Sequence, residues 1–141
     1  MSNQSDCIFC KIVQGEIPSS KIYEDEEAVA FLDLSQVTKG HTLLIPKDHQ
    51  ENIFSLNEET AAKLFSKVPE IARALKKTFN CDGLNIVNNN GEKADQSIFH
   101  YHLHFIPRYG DDILYHWVDN SDKYTTEDLQ SYAQDVKANL E

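Results

Sequence analysis

His100-Tyr101-His102-Leu103-His104-Phe105-Ile106 is the stretch on which the fold turns. Three of the chain's six histidines alternate here with bulky apolar residues. Period-two alternation predicts a β-strand, here about Ile98–Pro107, with successive side chains on opposite faces. One face then carries three imidazoles, and the other offers Tyr101, Leu103 and Phe105 to a core. Spacing argues against a single metal ion shared by all three rings, although neighbouring rings could share one. Residues two apart on a strand are separated by roughly 6.6 Å and residues four apart by roughly 13 Å, whereas a zinc–nitrogen bond is about 2 Å. The three rings must therefore divide their labour, with His102 doing something its neighbours do not. The competing reading is a polar face on a half-exposed strand.

The segment before the strand, Asn88-Asn89-Asn90-Gly91-Glu92-Lys93-Ala94-Asp95-Gln96-Ser97, is polar and rich in residues that tolerate left-handed backbone. Such a loop can aim amide N–H groups into a concavity, and Gln96 and Ser97 add side-chain donors. Donors beside imidazoles suit an anionic oxygen, most simply a phosphate. Neutral imidazole, with a reference pKa of about 6.5, is a competent nucleophile near neutral pH.

The rest of the chain reads as a single α+β domain. Strands are expected at Ser19–Tyr23, Ala28–Leu34, Thr42–Pro46 and Gly83–Asn88, ahead of the histidine strand. A long helix is expected from about Glu58 to Phe79, with Ala61, Leu64, Phe65, Val68, Ala72, Leu75 and Phe79 as its apolar stripe. Ser55 and Glu58 suggest a capping box, and Pro69 should kink or split the helix. A second helix, about Glu127–Leu140, carries Leu129, Tyr132, Ala133 and Val136 on one side. With 141 residues, one core suffices. A formal net charge of −10 argues against a general nucleic-acid binder, which needs a basic face, but not against one nucleotide held by local contacts. No apolar run reaches membrane-span length and the first residues are no signal peptide, so a cytoplasmic protein is expected.

Three cysteines, Cys7, Cys10 and Cys81, fit a disulfide framework poorly. Cys7-Ile8-Phe9-Cys10 is a C-x-x-C pair, suited to two ligands of a tetrahedral zinc; a redox pair is the rival. Two further ligands must come from elsewhere, with His49 and His100 as candidates. Cys81 reads as a helix-end packing residue.

Gln96-Ser97-Ile98-Phe99-His100-Tyr101-His102-Leu103-His104 resembles the signature of the histidine-triad (HIT) nucleotide-binding proteins, specifically the Hint-like branch and its zinc-containing bacterial members. Cys7-Ile8-Phe9-Cys10-Lys11-Ile12, Gly15-Glu16-Ile17-Pro18, Ala30-Phe31-Leu32-Asp33-Leu34 and Gly40-His41-Thr42-Leu43-Leu44-Ile45-Pro46-Lys47 resemble further family segments in the same order. The likeness runs from about residue 7 to 109, with a C-terminal extension from about 110 to 141. It implies a five-stranded, mainly antiparallel sheet with a long helix and a C-terminal helix, and a homodimer whose two sheets join into one.

The resemblance also implies a purine nucleotide hydrolase that acts on nucleoside 5′-phosphoramidates or related monophosphate esters through a nucleotidyl-histidine. In that reading His102 is the nucleophile, His104 and His41 flank the phosphate, and Ser97 protonates the leaving amine. Ile8, Phe9, Ile12, Ile17, Phe31 and Leu32 form the purine slot, although each alone would read as core. Asp33 accepts the ribose hydroxyls, Asn89 contacts the sugar–phosphate and Gln96 lies by the phosphate. A structural zinc is implied at Cys7, Cys10, His49 and His100, and no organic cofactor. Rival readings are a dinucleoside polyphosphate hydrolase, a zinc-stabilised nucleotide sensor or adaptor without catalysis, and a catalytic zinc hydrolase. Asp95 departs from the family, which commonly has glycine there, and should weaken phosphate binding or alter specificity. Tyr115, His116 and Trp117 are candidates for lining the site or a dimer contact, with simple packing the plainer role for Trp117.

Overall fold

Residues 4–110, 112 and 117–141 are described by a computed structural model. They fall into two compact units that divide after Gly110. The first contains α1 (Ile8–Val13), β1 (Lys21–Glu24), β2 (Ala28–Leu32), β3 (Thr42–Pro46), α2 (Glu58–Phe65), α3 (Val68–Phe79), β4 (Gly83–Val87), a short 3₁₀ turn (Glu92–Ala94) and β5 (Leu103–Arg108). The five strands make one sheet in the order β1-β2-β3-β5-β4, antiparallel throughout. The second unit contains α4 (Thr126–Ala138), whose Thr125 forms a capping box with Asp128.

Alternation sorts the sheet's two faces. Ala28, Ala30, Leu44, Leu103 and Phe105 point one way and pack with Tyr101 against Leu64, Ile71 and Leu75 of α2 and α3. Val29, Phe31, Leu43 and Ile45 point the other way and pack against Phe9 and Ile12 of α1. His104 pairs with Leu43 across the β3–β5 ladder and so belongs to this second face. The core expected of Tyr101, Leu103 and Phe105 is present, with all three nearly inaccessible to solvent.

The histidine segment is extended, but its ladder starts only at Leu103. Pairing with β3 stops at Leu44↔Leu103. Before that, the Tyr101 N–H goes to the Gln50 carbonyl at 2.6 Å, and Asn88 Nδ2 donates to the His102 carbonyl at 3.1 Å. The β2 strand likewise ends at Leu32, because Asp33 opens a turn in which Ser35 N–H and Oγ both donate to its carboxylate.

Pro69 splits the expected long helix in two, and sits in the first turn of α3 where its missing N–H costs nothing. The cap of α2 is Asn57, which accepts from Thr60 N–H, rather than Ser55, whose hydroxyl bonds the Asn52 carbonyl. Phe65 is exposed, and the unanticipated Ile71 takes a core place. Cys81 is buried just beyond α3, after Asn80 caps the helix in left-handed conformation. In α4, Leu129, Tyr132 and Val136 are exposed.

Gly40 is required where it stands. Its φ is +94°, and an added Cβ would lie 2.7 Å from Phe79 Cδ2 at the end of α3. Strain in φ and overpacking add. We expect Gly40→Ala to cost about 2–4 kcal/mol, read as a lower urea midpoint at unchanged slope.

Candidate functional site

The histidines gather on the α1 face and at the end of β5, and hydrogen-bond partners fix the proton on His41, His100, His102 and His104. His102 Nδ1 lies 2.7 Å from the His100 carbonyl, which can only accept, so Nδ1 carries the hydrogen and Nε2 keeps its lone pair. His100 Nε2 lies 2.8 Å from the Pro46 carbonyl, so its Nδ1 is the unprotonated atom. His41 Nδ1 accepts from the Val37 N–H at 3.2 Å, which puts the His41 proton on Nε2, 2.9 Å from His104 Nδ1. His104 is then left with its proton on Nε2. The His102 and His104 rings meet edge to face, with centroids 4.9 Å apart.

Burial lowers the pKa of all four rings. It holds His100 and His104 down at about 4, and holds His41 and His102 below the ordinary 6.5. The carboxylate of Asp33 opposes this in part for His41, His102 and His104. Burial raises Asp33 itself, but the Ser35 bonds and the nearby His41 and His104 outweigh it and keep the carboxyl below its usual range. Its Oδ1 is committed to Ser35, while Oδ2 faces His41 Nε2 at 3.7 Å. Gln36, at φ +40°, locks this turn: its amide donates to the Asp33 and His41 carbonyls and accepts from Gly40 N–H.

Cys7, Cys10, His49 and His100 converge on one point, with one ligand atom from each lying within 4.8 Å of the others. Sγ–Nδ1 separations are 3.4 Å for Cys7–His100, 3.3 Å for Cys10–His49 and 3.6 Å for Cys10–His100. A tetrahedral zinc with ordinary bond lengths sets sulfur–nitrogen edges of about 3.6 Å. The bond from His100 Nε2 to a carbonyl is the outer-sphere contact that turns a ring's other nitrogen into a ligand. Burial pushes the Cys10 thiol up to about 11, so it holds its proton until a cation displaces it. This donor set can hold a tetrahedral metal and leaves no open position for catalysis.

Between α1 and β2 lies a slot of about 170 Å³ bounded by Ile8, Phe9, Ile12, Ile17, Phe31, Leu32 and Asp33, among others. Phe9, Ile12 and Phe31 also belong to the second core, so wall and core are one layer. Phe9 reaches past the slot to His102, with centroids 5.1 Å apart. Ser97 is exposed on a neighbouring cavity of about 300 Å³, together with Cys7, His49 and Asp6.

The loop before the histidines departs from expectation. The N–H groups of Gly91, Ala94, Asp95 and Gln96 are consumed by acceptors within the loop itself. These four do not form an open cradle. Gln96 is buried, accepts from Gly91 N–H and donates to the Glu51 and Ile98 carbonyls. It braces the loop rather than facing a phosphate. Asp95 has φ +71° and is exposed, the left-handed conformation its glycine-like position requires. Asn89 is half-buried between Asn88, which holds the His102 carbonyl, and Asn90, which accepts from Ile53 N–H. Asn88 and Gln36 are site-building residues that sequence reading passed over; both are polar residues adjoining strand ends, and only the register identifies their targets. Tyr115 and His116 lie outside the described residues, and Trp117 is exposed rather than packed.

Comparison with known proteins agrees with this geometry. A model of the HIT domain matches residues 14–111. "Protein hit" of Bacillus subtilis is 55% identical over 137 residues, spanning 96% of this chain and 94% of its own length. "Adenylylsulfatase HINT3" of Arabidopsis thaliana is 43% identical over 112 residues, spanning 79% of this chain and 57% of its own. Among solved structures, a Bacillus subtilis member of the HIT family superposes with a TM-score of 0.94 at 54% identity, covering 97% of this chain and 99% of that one. A Zn-bound histidine-triad protein from Mycobacterium smegmatis gives 0.74 at 36% identity, covering 96% and 98%.

Neutral buried imidazoles make stability depend on pH. Unfolded, each ring takes a proton near 6.5, whereas His104 resists protonation to about 4. Stability present above pH 6.5 is therefore lost as pH falls towards 4. In metal-stripped protein, Tm should fall between pH 7 and pH 5, and His104→Asn should flatten that slope; an unchanged slope would mean that His104 binds protons in the fold as it does unfolded.

Proposed function

The chain belongs to the HIT domain family, and from that premise we propose that it is a purine nucleotide hydrolase cleaving nucleoside 5′-phosphoramidates or related nucleoside monophosphate esters and adenylates. The observation that carries this reading is the His102 tautomer. With Nδ1–H donated to the His100 carbonyl and burial disfavouring the imidazolium, Nε2 offers a lone pair at neutral pH.

In this mechanism the base enters the Ile8–Phe9–Ile12–Phe31 slot and Asp33 Oδ2 accepts a ribose hydroxyl. His102 Nε2 attacks the α-phosphorus as the bond to the leaving nitrogen or oxygen breaks, giving a nucleotidyl-histidine. His104, with its proton on Nε2 and its Nδ1 supported by His41, hydrogen-bonds the phosphoryl oxygens as charge builds on them. Ser97 passes a proton to a leaving amine. Water then attacks phosphorus, releases nucleoside monophosphate and His102, and gives back the proton. One water is consumed per turnover.

Cys7, Cys10, His49 and His100 hold a structural zinc in this reading, as their donor set and the Zn-bound relative support. No step passes through it. The adenylylsulfatase name carried by one relative favours adenylates, mixed anhydrides whose leaving group needs no proton, beside phosphoramidates. A homodimer with a site in each subunit accompanies the proposal.

Hydrolysis of adenosine 5′-phosphoramidate and of adenylyl sulfate should fall about a thousandfold in His102→Ala, with AMP affinity little changed. Equal turnover in the variant removes His102 from the chemistry, and AMP binding without turnover in the wild type moves the reading to a sensor. For adenylyl sulfate, the acid limb of kcat/KM should have its midpoint below 6.5, because burial holds His102 below the ordinary imidazole value.

A further inference from the structure

The helix α1 has two jobs on adjacent residues. Cys7 caps it, taking the Cys10 N–H on Sγ at 3.3 Å, and both sulfurs turn towards His49 and His100. Ile8, Phe9 and Ile12 of the same helix wall the slot in which the proposed nucleoside sits. Six residues are far too few for a helix to persist unaided in water. Its hold on the sheet comes from the Phe9–Ile12 contacts and from the two cysteines. Phe9 spans both regions, touching Phe31 at a centroid distance of 5.7 Å, His100 at 5.8 Å and His102 at 5.1 Å.

The opposite face of the sheet is independent of this helix. The larger core joins β2, β3 and β5 to α2 and α3 and contains no residue of α1. Loosening α1 therefore opens one wall of the slot and leaves the sheet and its two helices packed. Such a segment is a local unit that opens below the free energy of global unfolding.

We infer that the Cys7–Cys10 segment is a latch on the nucleoside slot: a metal ion held by Cys7, Cys10, His49 and His100 fixes α1, and α1 sets the affinity for a purine nucleotide. Metal and nucleotide binding are then linked, and each tightens the other by the same factor. In this role Cys7 and Cys10 are positioning residues for the nucleotide, without touching it. The inference rests on the nucleotide reading of the slot and on the four-ligand reading of the cluster.

The test uses the wild-type chain, zinc-loaded and after chelation. AMP affinity is measured by calorimetry in both forms, amide hydrogen exchange is followed in α1 and in β2, β3 and β5, and zinc affinity is measured against a competing chelator with and without saturating AMP. We expect chelation to weaken AMP binding about tenfold and to strip protection from α1 while the strands keep theirs. Saturating AMP should tighten zinc by that same factor. Equal AMP affinity in the two forms overturns the latch. Loss of strand protection together with α1 also overturns it, because the metal would then hold the whole fold. Failure of the zinc-loaded protein to bind AMP overturns the nucleotide reading and the latch with it, an outcome distinct from binding that ignores the metal.

Discussion

The His100 peptide and ring together form the node on which the site depends. The ring donates from Nε2 to the Pro46 carbonyl at the end of β3 and turns Nδ1 to the sulfurs of Cys7 and Cys10. Its own carbonyl accepts from His102 Nδ1. That carbonyl is available because the ladder of β5 has not yet begun; a strand continuing back to residue 98 would direct it to a neighbouring strand. Ending the pairing at Leu103 is thus what allows one residue to serve the metal cluster with its side chain and the candidate nucleophile with its backbone. Both ring nitrogens and the carbonyl of His100 have partners at this buried node, which a site of low dielectric demands.

The two faces of the sheet divide stability from chemistry. One face is closed by α2 and α3 over an apolar cluster with no histidine in it. The other is covered by only six helical residues and leaves a slot beside the histidines. Side-chain amides then stiffen what the thin cover leaves loose. Gln36 ties the Asp33–His41 turn, Gln96 ties the Gly91–Ile98 loop to Glu51, and Asn88 ties the end of β4 to His102. Each donates its amide N–H to backbone carbonyls, so the groups meant for a ligand sit on braced elements.

Most of the architecture was legible because it is periodic. Alternation in the histidine segment gave a strand and its two faces, the apolar run Thr42–Pro46 gave another strand, and Pro69 gave the helix break. The C-x-x-C spacing named two members of a four-residue cluster. What escaped the sequence is set by tertiary register. Whether Ser55 or Asn57 caps α2, or Phe65 or Ile71 enters the core, depends on where the sheet lies under the helices. In the donor-rich loop the amides of Gly91, Ala94, Asp95 and Gln96 are satisfied by its own short turns, which composition cannot reveal. Gln96 is a polar residue next to a proposed phosphate that instead holds the chain.

Two clusters in the fold have ligand-like geometry, and hydrogen placement separates them. Asp33, His41 and His104 also bring one donor atom each within 4.8 Å of one another. Yet His41 Nδ1 already accepts the Val37 N–H, so its proton lies on Nε2, the atom that faces His104 and Asp33. A cation there would have to displace that proton and leave an imidazolate. At the cysteine cluster the order is reversed: His100 spends its proton on a backbone carbonyl, and the free nitrogen faces two sulfurs. The same residue type therefore offers a free nitrogen suited to a metal in one place and a hydrogen-bond donor in the other. The choice is made by which ring nitrogen the backbone engages and whether the backbone group there donates or accepts. For His41 and His104 this yields a directed pair ending in an N–H, suited to an anionic oxygen. For His102, whose Nδ1 donates where theirs accept, it leaves on Nε2 the lone pair that the proposed attack on phosphorus uses.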